Sequence, residues 1–323
     1  MKIKFRLIFL PFLWIDIGCI VIYTFLNWLL FIYWQTGPVK EEIRNLWIPF
    51  CLPWIPLVIW LRPRLRILKF NEKAKSPVFG TILLAGIAIL APLLIAQAYL
   101  ETATGKLTHV NKMEEIGDRA STKYYTVDNF FIDTTFTGSW FTKTVTGKYN
   151  NSLDLDLYIV CPVYSDSGQV SPGGPGGVKI GAIDARVPPA DSGVEVKAPR
   201  AWVVSKFYKQ ISNRSDAEVK REKIRTFYNG AWVDFRQQPL SGFTYFERIG
   251  YSDDYSLYQL ALGRLLRDNV SGMRTIFLKP RTEAFAERNG HKLAWIFGAF
   301  GIGTILFWLM LRFFPLKEPS PEA

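Results

Sequence analysis

Apolar and polar positions in this chain fall into blocks. Four long apolar runs enclose residues 101–291, where the two kinds of position are mixed and locally periodic. About 20 mostly apolar residues in a helix are needed to cross a bilayer's hydrocarbon core, since unpaired backbone groups are not tolerated in lipid. The first run extends from Phe5 to Trp34, more than one crossing needs, and Pro11 interrupts its beginning. A crossing over 14–34 sets Trp14 and Trp34 at the two interfaces. The second run, 46–61, is short and carries Pro49, Pro53 and Pro56, which remove backbone donors and predict a kink or a re-entrant hairpin. The third, 78–100, and the fourth, Leu293 to Phe314, are long enough without further argument.

Charge orients these runs. Arg62, Arg64, Arg66, Lys69, Lys73 and Lys75 crowd the loop after the second run, whereas Gln35 to Asn45 holds only Lys40 and Arg44 as basic residues. Cytoplasmic loops concentrate Lys and Arg, so the hairpin is disfavoured and the crowded loop is predicted to be cytoplasmic. Arg312 and Lys317 after the last run place that end on the same side. Lys2, Lys4 and Arg6 resemble the basic start of a signal peptide, but no small-residue cleavage pattern follows, so an uncleaved signal anchor is expected. The predicted organisation has three transmembrane helices in 1–100 and an extracytoplasmic domain over 101–291. A fourth transmembrane helix and a short cytoplasmic tail occupy 292–323. Asp16 is the one acid inside the first run. Counting back about 20 residues from Trp34 puts it at headgroup level, against the alternative of an ion or proton role.

Within 101–291, Leu153, Leu155 and Leu157 alternate with Asp154, Asp156 and Tyr158, the signature of a half-buried strand over Ser152 to Val160. Further strands are predicted at Tyr124 to Ile132, Ser139 to Lys148, Ala201 to Ile211, Phe243 to Ile249 and Arg274 to Leu278. Ser215 with Glu218 forms a capping-box pattern for a helix ending near Phe227. Asp253 or Asp254 caps a second helix to about Arg267, with an apolar stripe of Leu257, Leu260, Ala261, Leu265 and Leu266. The expected fold class is therefore a multi-pass α-helical membrane protein with four transmembrane helices and an inserted α+β domain. A Ser, Gly and Pro-rich tract containing SPGGPGG (Ser171 to Gly177) predicts a flexible loop over 165–198.

The formal net charge of +11 changes little. Residues 101–291 hold 25 Lys and Arg against 22 Asp and Glu, a balance of +3, and the remaining +8 flanks the spans, so nucleic acid is not an expected partner. Membrane lipid is. Cys19 and Cys51 lie in spans and Cys161 is alone in the inserted domain, which rules out a disulfide within it. His109 and His291 are the only histidines, one shortly after the third run and one immediately before the fourth. Nothing ties either to a metal site or to an activated serine or cysteine. The pairs Asp154 with Asp156 and Asp253 with Asp254 read as a solvent face and a helix cap. The sequence therefore nominates no catalytic, cofactor-binding or metal-binding residue. The last run has small residues at Ala294, Gly298 and Gly301, with Ala299 and Gly303 one position around, and the third offers Ala85, Ala88, Ala91 and Pro92, faces that predict close helix packing within the chain more than between copies.

Several strings carry a resemblance: LPWIPLVIWLRPRLRILK (Leu52 to Lys69), AQAYLETATGKLT (Ala96 to Thr108), GKYN (Gly147 to Asn150), YIVCPV (Tyr158 to Val163), KFYKQISNR (Lys206 to Arg214) and ERNG (Glu287 to Gly290). They resemble the long N-terminal extension of a group of rhomboid-family intramembrane serine proteases of Bacteroidetes-type bacteria, from the start to about Phe314. That family places after the extension a six- or seven-helix protease domain with a GxSG serine and a membrane histidine. Here Phe300 stands at the serine position of Gly298 to Gly301 and no span contains histidine, so no catalytic residue carries over.

The resemblance implies a bacterial inner-membrane protein with a periplasmic domain. The leading expectation is a non-catalytic scaffold or accessory protein that binds a membrane or periplasmic protein, in connection with a separately encoded rhomboid-type protease. A small transporter or channel component, suggested by the proline-rich second run with Asp16, Asn27 and Gln97, is the alternative. A sensor or enzyme domain of unrecognised type is a third. The oligomeric state is open.

Overall fold

The computed structural model describes residues 2–34, 39–70, 77–117, 122–165, 199–238, 242–266 and 275–317. All but the first residue of the expected 165–198 loop, and Lys73 and Lys75, lie outside them. The elements run α1 (Lys2–Tyr33), α2 (Ile43–Leu65), α3 (Val78–Ala103), β1 (Leu107–Val110), β2 (Tyr124–Val127), β3 (Phe131–Ile132), β4 (Gly138–Thr146), β5 (Ser152–Tyr164), β6 (Ala201–Ser212), α4 (Ala217–Gln237), β7 (Tyr245–Arg248), α5 (Asp253–Leu266), β8 (Ile276–Arg281) and α6 (Lys292–Phe313). They form two units, Met1–Thr104 with Ala286–Ala323, and Gly105–Phe285.

In the helical unit, α1, α2, α3 and α6 are each long and apolar enough to cross a membrane. Their outward surface is apolar too: Ile22, Ile59 and Ile302 are each at least 60% exposed, which is costly in water and matched in lipid. The first helix starts twelve residues before the expected crossing and passes through Pro11, with a wide turn over Phe5–Phe9 just ahead of it. The three prolines of α2 leave short α turns joined by wide turns, yet the chain continues as one helix of 23 residues, not a hairpin.

The interior is apolar, with Phe12 of α1 stacked on Phe307 of α6 at 4.0 Å between ring centroids. Both ends are tied by polar groups. At one, Lys4 Nζ donates to the Leu311 carbonyl at 2.9 Å and to that of Phe314, satisfying acceptors that the end of α6 leaves open. Beside them the Lys69 N–H donates to Pro315 O at 2.8 Å and the Lys317 N–H to Ile67 O at 2.9 Å. Toward the other end, Asn27 donates to Gln97 Oε1 at 2.7 Å and Gln97 to Thr24 Oγ1 at 3.1 Å, joining α1 to α3. Of the small residues on α6, Gly303 is used for close approach: a Cβ there would lie 2.9 Å from the Ala88 carbonyl oxygen of α3. Gly298 and Gly301 have nothing within 4 Å, so the predicted small-residue face is largely unused inside the chain.

The second unit is a mixed sheet in the order β1-β2-β7-β8-β6-β5-β3, with β4 continuing along the β5 edge that β3 occupies. The β1–β2 and β6–β8 pairs are parallel and the rest antiparallel. Because side chains alternate along a strand, the odd-numbered residues of β5, from Leu153 to Val163, join Phe227, Ala231 and Phe235 of α4. The even ones, Tyr158 and Val160, join Trp202, Phe277 and Tyr258, Ala261, Leu262 and Leu265 of α5. One helix thus covers part of each face.

Several expectations need correction. The strand foreseen from Tyr124 to Ile132 is two strands with different partners, β2 on β7 and β3 on β5. The first inserted helix has Asp216 at its N-terminal boundary and runs to Gln237, ten residues beyond Phe227, because Ala231 and Phe235 continue the apolar line at four-residue spacing. Ser252, not an aspartate, caps α5: its Oγ accepts the Tyr255 N–H at 3.1 Å. The buried stripe of α5 is Tyr258, Ala261, Leu262 and Leu265, and Leu260 is exposed.

Candidate functional site

Strand β6 pairs with β5 along its whole length, from Ala201 with Val163 to Ser212 with Ser152, but with β8 only at Ala201, Trp202 and Val203. From Val204 onward its other edge carries no ladder among the described residues. Alternate N–H and C=O groups along such an edge point away from the sheet, ready to bond another strand. Helix α4 runs beside this edge, with Thr226, Gly230 and Asp234 at four-residue spacing along one line. With Phe207, Tyr208, Lys209, Phe227 and Ala231 they enclose a crevice of about 380 Å³. Its floor is apolar (Phe207, Phe227, Ala231) and its rim carries Lys209 and Asp234. Gly230 opens it, since nothing lies within 4 Å of where its Cβ would be.

The even-numbered face beyond the cover of α5 is polar and already ordered. Asp154 accepts from Gln210 Nε2 at 2.7 Å and from the Tyr208 hydroxyl at 3.1 Å. The Gln210 bond holds the Asp154 carboxyl below the usual carboxylate range. Lys206 reaches Asp254 at 2.9 Å and Asp156 at 3.5 Å, and the Tyr158 hydroxyl donates to Asp254 at 2.9 Å. Burial works against the Lys206 ammonium, but the bond to Asp254 outweighs it and its pKa is raised. Asp154 and Asp156 therefore lie on the open sheet face as expected, whereas Asp254 has a larger role, joining the first turn of α5 to the sheet.

His109, on β1, lies 3.3 Å from Thr126 Oγ1 and 3.4 Å from the Asp128 carboxylate, with both side chains more than half exposed. His291 stands at the start of α6. Among the described residues no three of His, Cys, Asp and Glu are grouped as ligands to one metal ion. Cys161 is buried in the odd-face core and is a free thiol, like Cys19 and Cys51.

Burial pushes the Tyr158 and Tyr245 hydroxyls and the Cys161 thiol up to about 12. An unfolded tyrosine ionises near 10 and an unfolded cysteine near 8.5, so between those values and about 12 the unfolded chain binds fewer protons than the folded one. Stability is expected to be fully present below about pH 8.5 and to fall as pH rises toward 12. Denaturant melts across that range check this, and Tyr158→Phe should flatten part of the loss.

Comparison with family models finds no match to this chain, and comparisons with curated proteins and with solved structures find none either. The edge and its crevice depend on strand order and on where α4 lies, neither of which is local in sequence. The one local signal is Gly230, a glycine inside a helix otherwise rich in helix formers.

Proposed function

We propose that this chain is a membrane-anchored partner-binding protein whose α/β domain captures an extended polypeptide segment. The observation that carries this reading is the unpaired edge of β6 opening beside a crevice with an apolar floor. In strand addition, main-chain hydrogen bonds supply affinity and a pocket for one side chain supplies selectivity. The segment runs along Val204 to Ser212 and sets an apolar side chain against Phe207, Phe227 and Ala231, with Lys209 and Asp234 meeting polar groups at the rim. The four apolar helices anchor it in a bacterial inner membrane, and the basic residues beside them favour cytoplasmic termini with residues 101–291 periplasmic. On the resemblance of its sequence strings, the captured protein is a substrate or subunit of a rhomboid-type membrane protease.

Gly230→Leu tests this. The side chain enters open space, and leucine favours helix over glycine by up to about 1 kcal/mol, so the domain stays folded while the crevice is filled. Full-length protein purified from native membranes in mild detergent should carry a stoichiometric partner that the variant loses. A partner retained equally by both, or absent from both, would overturn the reading.

A further inference from the structure

Asp16 sits in the middle of the inward stripe of α1, formed by Phe12, Ile15, Asp16, Cys19, Tyr23 and Asn27. It is fully buried, and neither carboxylate oxygen has a hydrogen-bond partner. The headgroup position expected for it assumed a helix starting near residue 14. The helix starts at Lys2 and has 32 residues, roughly 48 Å at about 1.5 Å each, so Asp16 is near its midpoint.

The surrounding helices offer no counter-ion. Their charged residues are Arg44, Arg62 and Arg64 on α2, Glu101 on α3, and Lys292 and Arg312 on α6, every one within an end turn. On α1 the cations are Lys2, Lys4 and Arg6, the nearest ten residues away in the first turns; Lys2 and Arg6 are exposed, and Lys4 is engaged with the Leu311 and Phe314 carbonyls. The nearest titratable neighbour on the stripe is Cys19, a buried free thiol. The facing element contributes a second orphan. Lys4 against Leu311, Phe9 against Trp308 and Phe12 against Phe307 set α1 and α6 antiparallel, so one further turn brings Asp16 to the level of Gly303 and Thr304. The Thr304 hydroxyl oxygen is likewise buried without a hydrogen-bond partner.

An ionised carboxylate enclosed this way, with neither donor nor cation, is very costly, and a metal ion needs more oxygen ligands than one carboxylate gives. We propose that Asp16 is a proton-binding site inside the helical bundle, its carboxyl carrying the proton in this packed arrangement and releasing it only when the bundle opens. The proton adds to one carboxylate oxygen as an O–H bond, and no other group changes its charge. This does not depend on the partner-binding reading of the other domain.

Infrared spectroscopy of the full chain in native-lipid vesicles at neutral pH tests it. A protonated carboxyl C=O band should be present, shift when aspartate carries a carbon-13 carboxyl, and vanish in Asp16→Asn. Asp133 is the other buried aspartate among the described residues, and its Oδ1 accepts from the Thr135 N–H at 2.9 Å and hydroxyl at 2.6 Å. Asp133→Asn should leave the band unchanged, which secures the assignment even if Asp16→Asn fails to fold. No isotope-sensitive band in the wild-type protein, or one that Asp133→Asn removes, would overturn the proposal.

Discussion

Phe277→Ala is expected to destabilise the sheet domain by about 3–5 kcal/mol, the range for deleting a buried phenylalanine. Phe277 lies on β8, between the strands that carry β6 and β7, and is fully buried. Its ring meets those of Tyr255 at 5.2 Å and Tyr258 at 5.7 Å, both on α5. The truncation removes apolar burial and leaves a cavity that neither the ladder nor α5 can close without shifting. A domain of this size has about 5–15 kcal/mol in total, so a large share is lost. Pulse proteolysis of the full chain in detergent against urea reads this directly. A midpoint within error of wild type would mean that α5 does not pack on this face.

Gly303→Leu is expected to separate α3 from α6 and leave little folded bundle. Even a Cβ at 303 meets the Ala88 carbonyl oxygen at 2.9 Å, Cβ at 3.0 Å and Cα at 3.1 Å, and two of those three atoms belong to backbone that cannot swing aside. Overpacking a well-filled interior costs about 1–3 kcal/mol and sometimes more. The helix displaced here also carries Phe307, stacked on Phe12, and the Leu311 carbonyl that Lys4 reaches. Gly298→Leu, with open space around it, is the matched control and should behave as wild type. Size-exclusion profiles and thermal midpoints of the two variants, read side by side, decide the point.

The apolar helices were legible because crossing a membrane is a demand on local composition, which a single stretch of sequence either meets or does not. Their exact extents were less so: π-type turns let α1 and α2 accommodate prolines that on pattern alone read as interruptions. In the sheet domain, alternation located the first half of β5, where Leu153, Leu155 and Leu157 enter the core beside α4 while Asp154 and Asp156 lie on the face beyond the cover of α5. It failed from Tyr124 to Ile132, where Asp128 and Asn129 break the apolar residues and the chain changes pairing partner between β2 and β3. Of the expected α5 stripe only Ala261 and Leu265 are buried: Leu260 is exposed, Leu257 and Leu266 are partly buried, and Tyr258 and Leu262 take their place, because leucines stand on both sides of the helix and only the sheet decides which are buried. The candidate site is the least legible part. A free strand edge is a property of strand order, and nothing within Val204 to Ser212 records that β8 stops pairing at Val203.

The central claim is that the β6 edge and its crevice are where another polypeptide sits. The most direct measurement is photo-crosslinking in living cells from a reactive amino acid at Lys209, with the exposed outer surface of α5 at Leu260 as the reference position. The account predicts one discrete adduct from position 209, lost when Gly230→Leu is present, and none from position 260. Equal crosslinking from both positions, or an adduct at 209 that survives Gly230→Leu, would contradict it.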